Sequence, residues 1–353
     1  MTSTDIKITK VSSSKINQVD FDNLGFGQVF SDHMMVVDYV DGKWGEAEIV
    51  PYSNLSVAPS LSTLHYSQTI FEGLKAFRQA DGSVAVYRPE KHAARLNISA
   101  ERLCMPDFPE DLFVQGVKEL LSIDSQWVPS QKGTSLYIRP FMFATDEFLG
   151  VRPSNTYKFL IITSPAGSYY EGGVKVIVED TYVRASEGGT GFTKTGGNYA
   201  ASLYPAVKAL EKGYHQILWT DSKEHKYVEE IGTMNVLFQI GDKLITPELN
   251  SSLLAGVTRA SVIELAKHWN MPIEERKLSI DEIIEAHEKG ILKDAFGTGT
   301  AATITHIETL NYKGIDYHLP PIEERELSKK FHNYLSKLKV GEAKDELNWM
   351  VSI

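Results

Sequence analysis

The sequence predicts an α+β protein of two domains, and three observations carry that expectation. At 353 residues the chain exceeds what one small core serves. Strand-like and helix-like runs recur in two halves without the steady strand-helix alternation of a parallel sheet. One turn-rich segment, SPAGSYYEGG (Ser164 to Gly173), separates the halves. The expected division is a smaller N-terminal domain over 1–165, a linker over 166–178 and a larger C-terminal domain over 179–353.

Taken in order, FSDHMMVVDYV and GSVAVYRP read as strands, each beside a DG turn. Pro89 opens a helix through EKHAARLNISAERLCM, with Leu96, Ala100 and Leu103 on one face. PEDLFVQGVKELLSI predicts a second helix, and TSLYIRPFMFAT and YKFLIITSP predict apolar strands. Beyond the linker, VKVIVEDTYVR reads as a strand and NYAASLYPAVKALEKGY as a helix. HQILWTD and the hairpin NVLFQIGDKLITPEL follow as strands. GVTRASVIELAKHW is a helix entered from glycine, and SIDEIIEAHEKGIL starts with a capping box, Ser279 and Glu282. The last helix, PPIEERELSKKFHNYLSKLK, gathers Leu327, Phe331, Tyr334, Leu335 and Leu338 on one side.

Composition narrows the function. A net charge of -10 argues against nucleic acid or an anionic membrane surface as the main partner. The single cysteine, Cys104, excludes an intramolecular disulfide framework and a thiolate metal cluster, and no metal site is expected; in RLCMPDF it reads as an inert apolar filler. MTSTDIKITKVSSSK carries no apolar signal region, and no run is long enough to span a bilayer, so a cytoplasmic location is expected.

The chemistry centres on GGTGFTKTGGNYAAS (Gly188 to Ser202), which sets one lysine among five glycines. A nucleotide-binding P-loop needs a glycine directly before the lysine, and Thr193 stands there instead. No G-x-G-x-x-G joins a strand to a helix here either. A lysine in a low-charge, glycine-rich loop suits desolvation, which lowers its pKa and makes it a nucleophile. Phosphate sites are read elsewhere: at the helix start of AGVTR, with the Val257 and Thr258 amides, and in FGTGTAATIT (Phe296 to Thr305). Taken alone, the first reads more readily as a plain capped helix, and the second can be a turn between core strands. Two phosphate loops plus a nucleophilic lysine suggest pyridoxal 5'-phosphate held as a Schiff base, and one of the EEIGTMN pair, Glu229 or Glu230, suits its pyridinium nitrogen.

FTKTGGNY, EEIGTMN, AGVTR and FGTGTA, in that order and spacing, resemble the branched-chain amino acid aminotransferases, which are fold type IV pyridoxal-phosphate enzymes. GFGQVFSDHM, LHYSQTIFEGLKAFR, HAARLNISA, SLYIRP and FLGVRP agree, so the resemblance runs from about Phe26 to the tail. It implies that Lys194 holds the cofactor and carries the proton, that Glu230 pairs with the pyridine nitrogen, and that Tyr199 bonds the phenolic oxygen. Arg95 would reach the phosphate with the Val257 and Thr258 amides and Thr298 or Thr300. The amides of Thr300 and Ala301 would take the substrate α-carboxylate. Phe26, Tyr66, Phe71, Tyr137, Val151 and Tyr169 would wall the side-chain pocket, and Arg139 would receive the distal carboxylate of glutamate.

The implied reaction moves an amino group between leucine, isoleucine or valine and 2-oxoglutarate, in a homodimer. Ala302 and Thr305 stand where some members carry a C-x-x-C redox switch, so that control is expected to be absent. D-amino acid aminotransferase and aminodeoxychorismate lyase share the lysine and glutamate; YIRP and GTAA favour the branched-chain reading. A nucleotide-binding protein using the lysine loop is the alternative from another class.

Overall fold

The computed structural model describes residues 5–167 and 172–353. The chain forms two compact units. The first comprises Met1–Tyr169, with Thr193–Gly196 and Lys337–Ile353 returning to it; the second comprises Tyr170–Phe192 and Gly197–Ser336. Lys194 therefore packs with the first unit although residues of the second flank it in sequence.

The first unit is built on a sheet of ten strands. Its centre is antiparallel: His33–Val40, Tyr157–Ala166, Ser135–Ala144, Leu74–Arg78 and Val84–Tyr87 lie in that order. These strands are buried along most of their length on both faces, successive residues turning to opposite sides. Met35, Val37, Leu136, Ile138, Phe159 and Ile161 enter one core with helices Pro89–Arg102 and Glu110–Ile123. The Asp41–Gly42 turn joins His33–Val40 to Lys43–Trp44 with positive φ at both residues, the geometry a tight hairpin demands.

The second unit carries a nine-stranded sheet. Six of its strands close on themselves: Val228–Ile231, Gln216–Thr220, Val174–Val178, Ile304–Tyr312, Leu292–Thr298 and Met234–Ile240, the last pairing with the first. Register then decides which side chains meet. Glu230 stands opposite Asn235, and Asn235 opposite Thr298, so three residues far apart in sequence line one row. Paired residues of antiparallel strands project on the same face.

Several elements differ in extent from the sequence reading. The Val174 strand stops at Val178, and Tyr182 to Arg184 lie outside it, because Thr181 and Tyr182 turn back to donate to the Glu179 carboxylate. The helix after the lysine loop starts at Gly196 and keeps Pro205 inside. Ser279 caps Ile280–Glu288 by accepting from the Glu282 amide, but the Glu282 carboxylate takes Arg276 instead of closing the box. Cys104 corrects an expectation: it is exposed, with φ of 54°. It follows the end of the Pro89–Arg102 helix, where the chain must leave helical geometry, and its neighbours Leu103 and Met105 pack on the core in its place.

Candidate active site

In the first unit Lys194 is fixed by its backbone. Its N–H donates to Ser99 Oγ at 3.0 Å, and its carbonyl accepts the Phe71 N–H at 3.0 Å. Thr195 adds a β-bridge to Ile70, and its hydroxyl donates to the Thr69 carbonyl at 2.8 Å. The lysine thus extends the edge of Thr69–Phe71. Its Nζ lies 4.4 Å from the Phe71 ring centroid. A rigid backbone bearing a long side chain suits a nucleophile that must move.

Around Phe71 the unit gathers four of the residues expected in a substrate pocket. Arg139 Cζ stands 4.6 Å from the Phe71 centroid and 5.2 Å from that of Tyr137, and Arg139 Nη2 donates to the Tyr137 hydroxyl at 2.9 Å. Phe26 meets Tyr137 edge-on at 4.9 Å. Tyr137 has room because Gly73 lies beneath it: a Cβ there would meet the hydroxyl at 2.0 Å. Tyr66 and Val151 are exposed residues instead. The Tyr66 hydroxyl donates to the Leu149 carbonyl, and Val151 is 85% exposed. Tyr169 lies outside the described residues.

Arg95 is buried on the inner face of its helix. Its Nε and Nη2 donate to the two oxygens of Glu72 at 2.7 and 2.8 Å, and His92 Nδ1 lies 2.7 Å from the same carboxylate. Burial alone would raise Glu72, yet Arg95 and His92 hold it well below the ordinary carboxyl range. Burial lowers His92, opposed by Glu72 and reinforced by Arg95 and Lys194. Ser99, one turn beyond Arg95, donates to the Arg95 carbonyl while accepting from Lys194, so one hydroxyl couples the two.

In the second unit Glu230 is buried and held at both oxygens. The Leu254 N–H donates to Oε1 at 2.8 Å, Asn235 Nδ2 to the same oxygen at 3.3 Å, and Arg184 Nε pairs with Oε2 at 2.9 Å. Asn235 lies against Gly256, where a Cβ would stand 2.0 Å from Asn235 Oδ1. Gly256 opens the helix Val257–His268 without a side-chain cap, which leaves the first-turn amides of Val257 and Thr258 to an outside acceptor. The Thr258 hydroxyl donates to the Gly299 carbonyl at 3.2 Å, joining this helix to the Thr298–Thr300 turn. Thr298 Oγ1 is buried with no hydrogen-bond partner among the described residues. Thr300 and Ala301 are half-buried in the same turn, and Tyr199 is half-buried in the first turn of Gly196–Glu211.

The residues fit a phosphorylated cofactor. An uncapped helix start, a glycine whose side chain would displace Asn235 and an orphan threonine hydroxyl form an anion cradle. A buried carboxylate with anchored oxygens supplies an acceptor for a protonated ring nitrogen.

Residues 69–309 match the family described as amino-transferase class IV. The whole chain is 47% identical to branched-chain-amino-acid aminotransferase 2 of Bacillus subtilis (strain 168), covering 98% of that protein. The chain belongs to the branched-chain aminotransferase family. The match to the branched-chain-amino-acid aminotransferase of Mycolicibacterium smegmatis is 42% over 98% of this chain and 96% of that one. The branched-chain aminotransferase fold agrees with the Escherichia coli structure at a TM-score of 0.72 and 25% identity, covering 89% of this chain and 98% of that chain. A solved branched-chain amino acid aminotransferase complexed with N-(5'-phosphopyridoxyl)-L-glutamate matches in fold at a TM-score of 0.70 and 23% identity, over 89% and 97% of the two chains. Class IV enzymes depend on pyridoxal phosphate.

Sequence reasoning missed Glu72, His92, Ser99, Arg184 and Asn235. Glu72 was in view within IFEGLKAFR, and an acid among apolar neighbours signals a buried partner.

Proposed function

We propose that this aminotransferase moves amino groups between leucine, isoleucine or valine and 2-oxoglutarate, with Lys194 as the covalent anchor of the cofactor. Pyridoxal phosphate, when bound, supplies the electron sink that weakens the Cα–H bond. Lys194 attaches the cofactor, and its freed amine moves the proton from the substrate Cα. Glu230 keeps the ring nitrogen protonated, and Tyr199 bonds the phenolic oxygen. Arg95, the Val257 and Thr258 amides, Thr298 and Thr300 hold the phosphate. The Thr300 and Ala301 amides orient the substrate α-carboxylate.

Phe26, Phe71 and Tyr137 exclude water from the aliphatic side chain, and Arg139 takes the distal carboxylate of glutamate. The observation that carries this reading is the fixed backbone of Lys194, tied to Ser99 and Phe71 while its amine lies over an aromatic ring.

A homodimer in the cytoplasm completes the proposal. Leu64, Tyr66, Phe148, Leu149 and Val151 are exposed apolar residues of the first unit, and Leu203, Tyr204, Val207 and Leu210 expose another apolar face on one helix. Exposed apolar patches of this kind suit subunit contact. Tyr66 and Val151 then serve a neighbouring subunit's pocket, which accounts for their exposure in one chain.

Borohydride reduction followed by peptide mapping tests the assignment. Label on the peptide containing Lys194 is expected, and label on any other lysine overturns it. L-Leucine, and not D-alanine, should bleach the absorption band of the bound cofactor.

A further inference from the structure

Glu229 and Glu230 are adjacent, both buried, and on opposite faces of the strand Val228–Ile231. Glu230 has hydrogen-bond donors on Oε1 and an ion pair to Arg184 at Oε2, whereas Glu229 Oε2 is buried with no hydrogen-bond partner among the described residues. Glu229 lines a cleft of about 60 Å³ within the second unit, which also meets Ser222, Leu253 and Pro247. Its other oxygen meets Ser252 Oγ.

The hydrogen count at Ser252 is informative. Its hydroxyl faces two acceptors, Glu229 Oε1 and Asn250 Oδ1, the latter at 2.7 Å. Asn250 Oδ1 also accepts the Ser252 N–H at 2.7 Å, which fixes that amide's orientation. One hydroxyl hydrogen serves one acceptor. The second contact is satisfied when Glu229 carries a proton and donates it to Ser252 Oγ, leaving Ser252 to donate to Asn250.

The same Ser252 leads to Glu230. Its carbonyl accepts from Arg184 Nη2, which also donates to the Gly191 carbonyl, while Arg184 Nε pairs with Glu230. One guanidinium thus pairs with Glu230 and holds the backbone of the serine that bonds Glu229, and its charge also acts on Glu229. We infer that Glu229 is a positioning residue that tunes Glu230: neutral, it leaves the Arg184 charge to Glu230; ionised, it competes for that charge.

Ionised Glu229 makes Glu230 a stronger acceptor for the proton on a ring nitrogen, and its own negative charge favours that proton further. Burial pushes Glu229 up to about 7, against the Ser252 hydrogen bond and Arg184 and with Glu230 and Asp221. The other charged groups facing the cleft are the Glu187–Lys223 ion pair, Lys277, Glu224 and Glu248. The cleft gives the buried carboxyl a route for proton exchange.

The inference rests on the cofactor reading above and is tested with Glu229→Gln, whose amide can still donate to Ser252 and so mimics the neutral acid. Apoenzyme affinity for pyridoxal phosphate is measured for both proteins from about pH 5.5 to 8.5, and the ratio cancels pH effects common to both. The ratio should be near one at the acid end and rise to roughly 3–10-fold in favour of the native protein above pH 7, as a shift of up to one pK unit at the coupled acid would give. Ser252→Ala should move that rise to higher pH, and it serves in place of Glu229→Gln if the latter does not fold.

A pH-independent ratio in both variants overturns the coupling, even if apoenzyme stability still changes with pH. Failure of the cofactor reading is seen separately, as absence of borohydride trapping on Lys194 in the native protein.

Discussion

Glu72 in the first unit and Glu229 in the second are both buried carboxylates near an arginine, yet their protonation goes opposite ways. Glu72 receives two bonds from Arg95 and one from His92, and burial is outweighed by these close charges. Glu229 has a hydroxyl on one oxygen, no partner among the described residues on the other, and only a share in Arg184, which is already paired with Glu230. Burial therefore wins there, and the group rises to about 7. Depth does not decide the charge of a buried acid; the number of donors actually touching it does.

The strongest way to break the comparison is Glu72→Ala, which strands Arg95 and His92 without their shared carboxylate. A loss of ~3–5 kcal/mol is expected, because removing one member of a buried pair leaves an uncompensated charge. Urea unfolding of the apoprotein at neutral pH measures it, and a loss below ~1 kcal/mol would mean that Arg95 readily finds other partners. Sign and pH window follow from the lowered pKa. A depressed carboxyl stabilises above its ordinary value of 4.5, and that stability drains away as pH falls below it. Glu72→Gln should flatten this acid limb.

Glu229 has the reverse sign. Its raised pKa means that the folded chain holds a proton the unfolded chain has released between 4.5 and about 7, so stability falls as pH rises across that window. Glu229→Gln should remove this slope and leave the variant more stable than the native protein at about pH 8.

A smaller effect is expected from Gly256→Ala. Its Cβ would stand 2.0 Å from Asn235 Oδ1 and displace a donor to Glu230. Affinity for pyridoxal phosphate should drop about tenfold, equivalent to ~1.4 kcal/mol. Fluorescence titration of the apoenzyme checks it, and unchanged affinity would show that Leu254 and Arg184 suffice to hold Glu230.

How far this was legible beforehand differs between local and non-local features. Lys194 in FTKTGGNY, the Ser279 cap and the apolar strand runs are local, since composition and cap chemistry are written within a few residues. The partners of the reactive groups are not. Glu72 and Arg95 lie 23 residues apart and meet only because the link after Thr69–Phe71 lies against the helix Pro89–Arg102. The row Glu230–Asn235–Thr298 depends on strand register, which no short window reveals. Read alone, the EE pair resembles a solvated turn, and Arg95 a surface charge; both readings fail because tertiary packing buries them.

Lys339 extends the rule to a cation and carries the smallest effect. It ends the helix Leu327–Lys339, buried, with Nζ 4.8 Å from the Tyr87 centroid and 5.7 Å from that of Phe77. Burial pushes it down to about 7, and the nearby Lys75 adds to the shift. The unfolded chain therefore holds a proton that the folded chain gives up between about 7 and 10.5, so stability rises with pH through that window. Lys339→Met keeps an apolar stem against the two rings and removes the charge. It should stabilise the protein by ~1 kcal/mol below pH 7, with the gain fading toward pH 10. Thermal unfolding at about pH 6 and about pH 10 measures the difference. A destabilised variant at the acid end would show that the rings hold the ammonium more strongly than burial disfavours it, and that aromatic faces, like Arg95 at Glu72, can supply the compensation a buried charge needs.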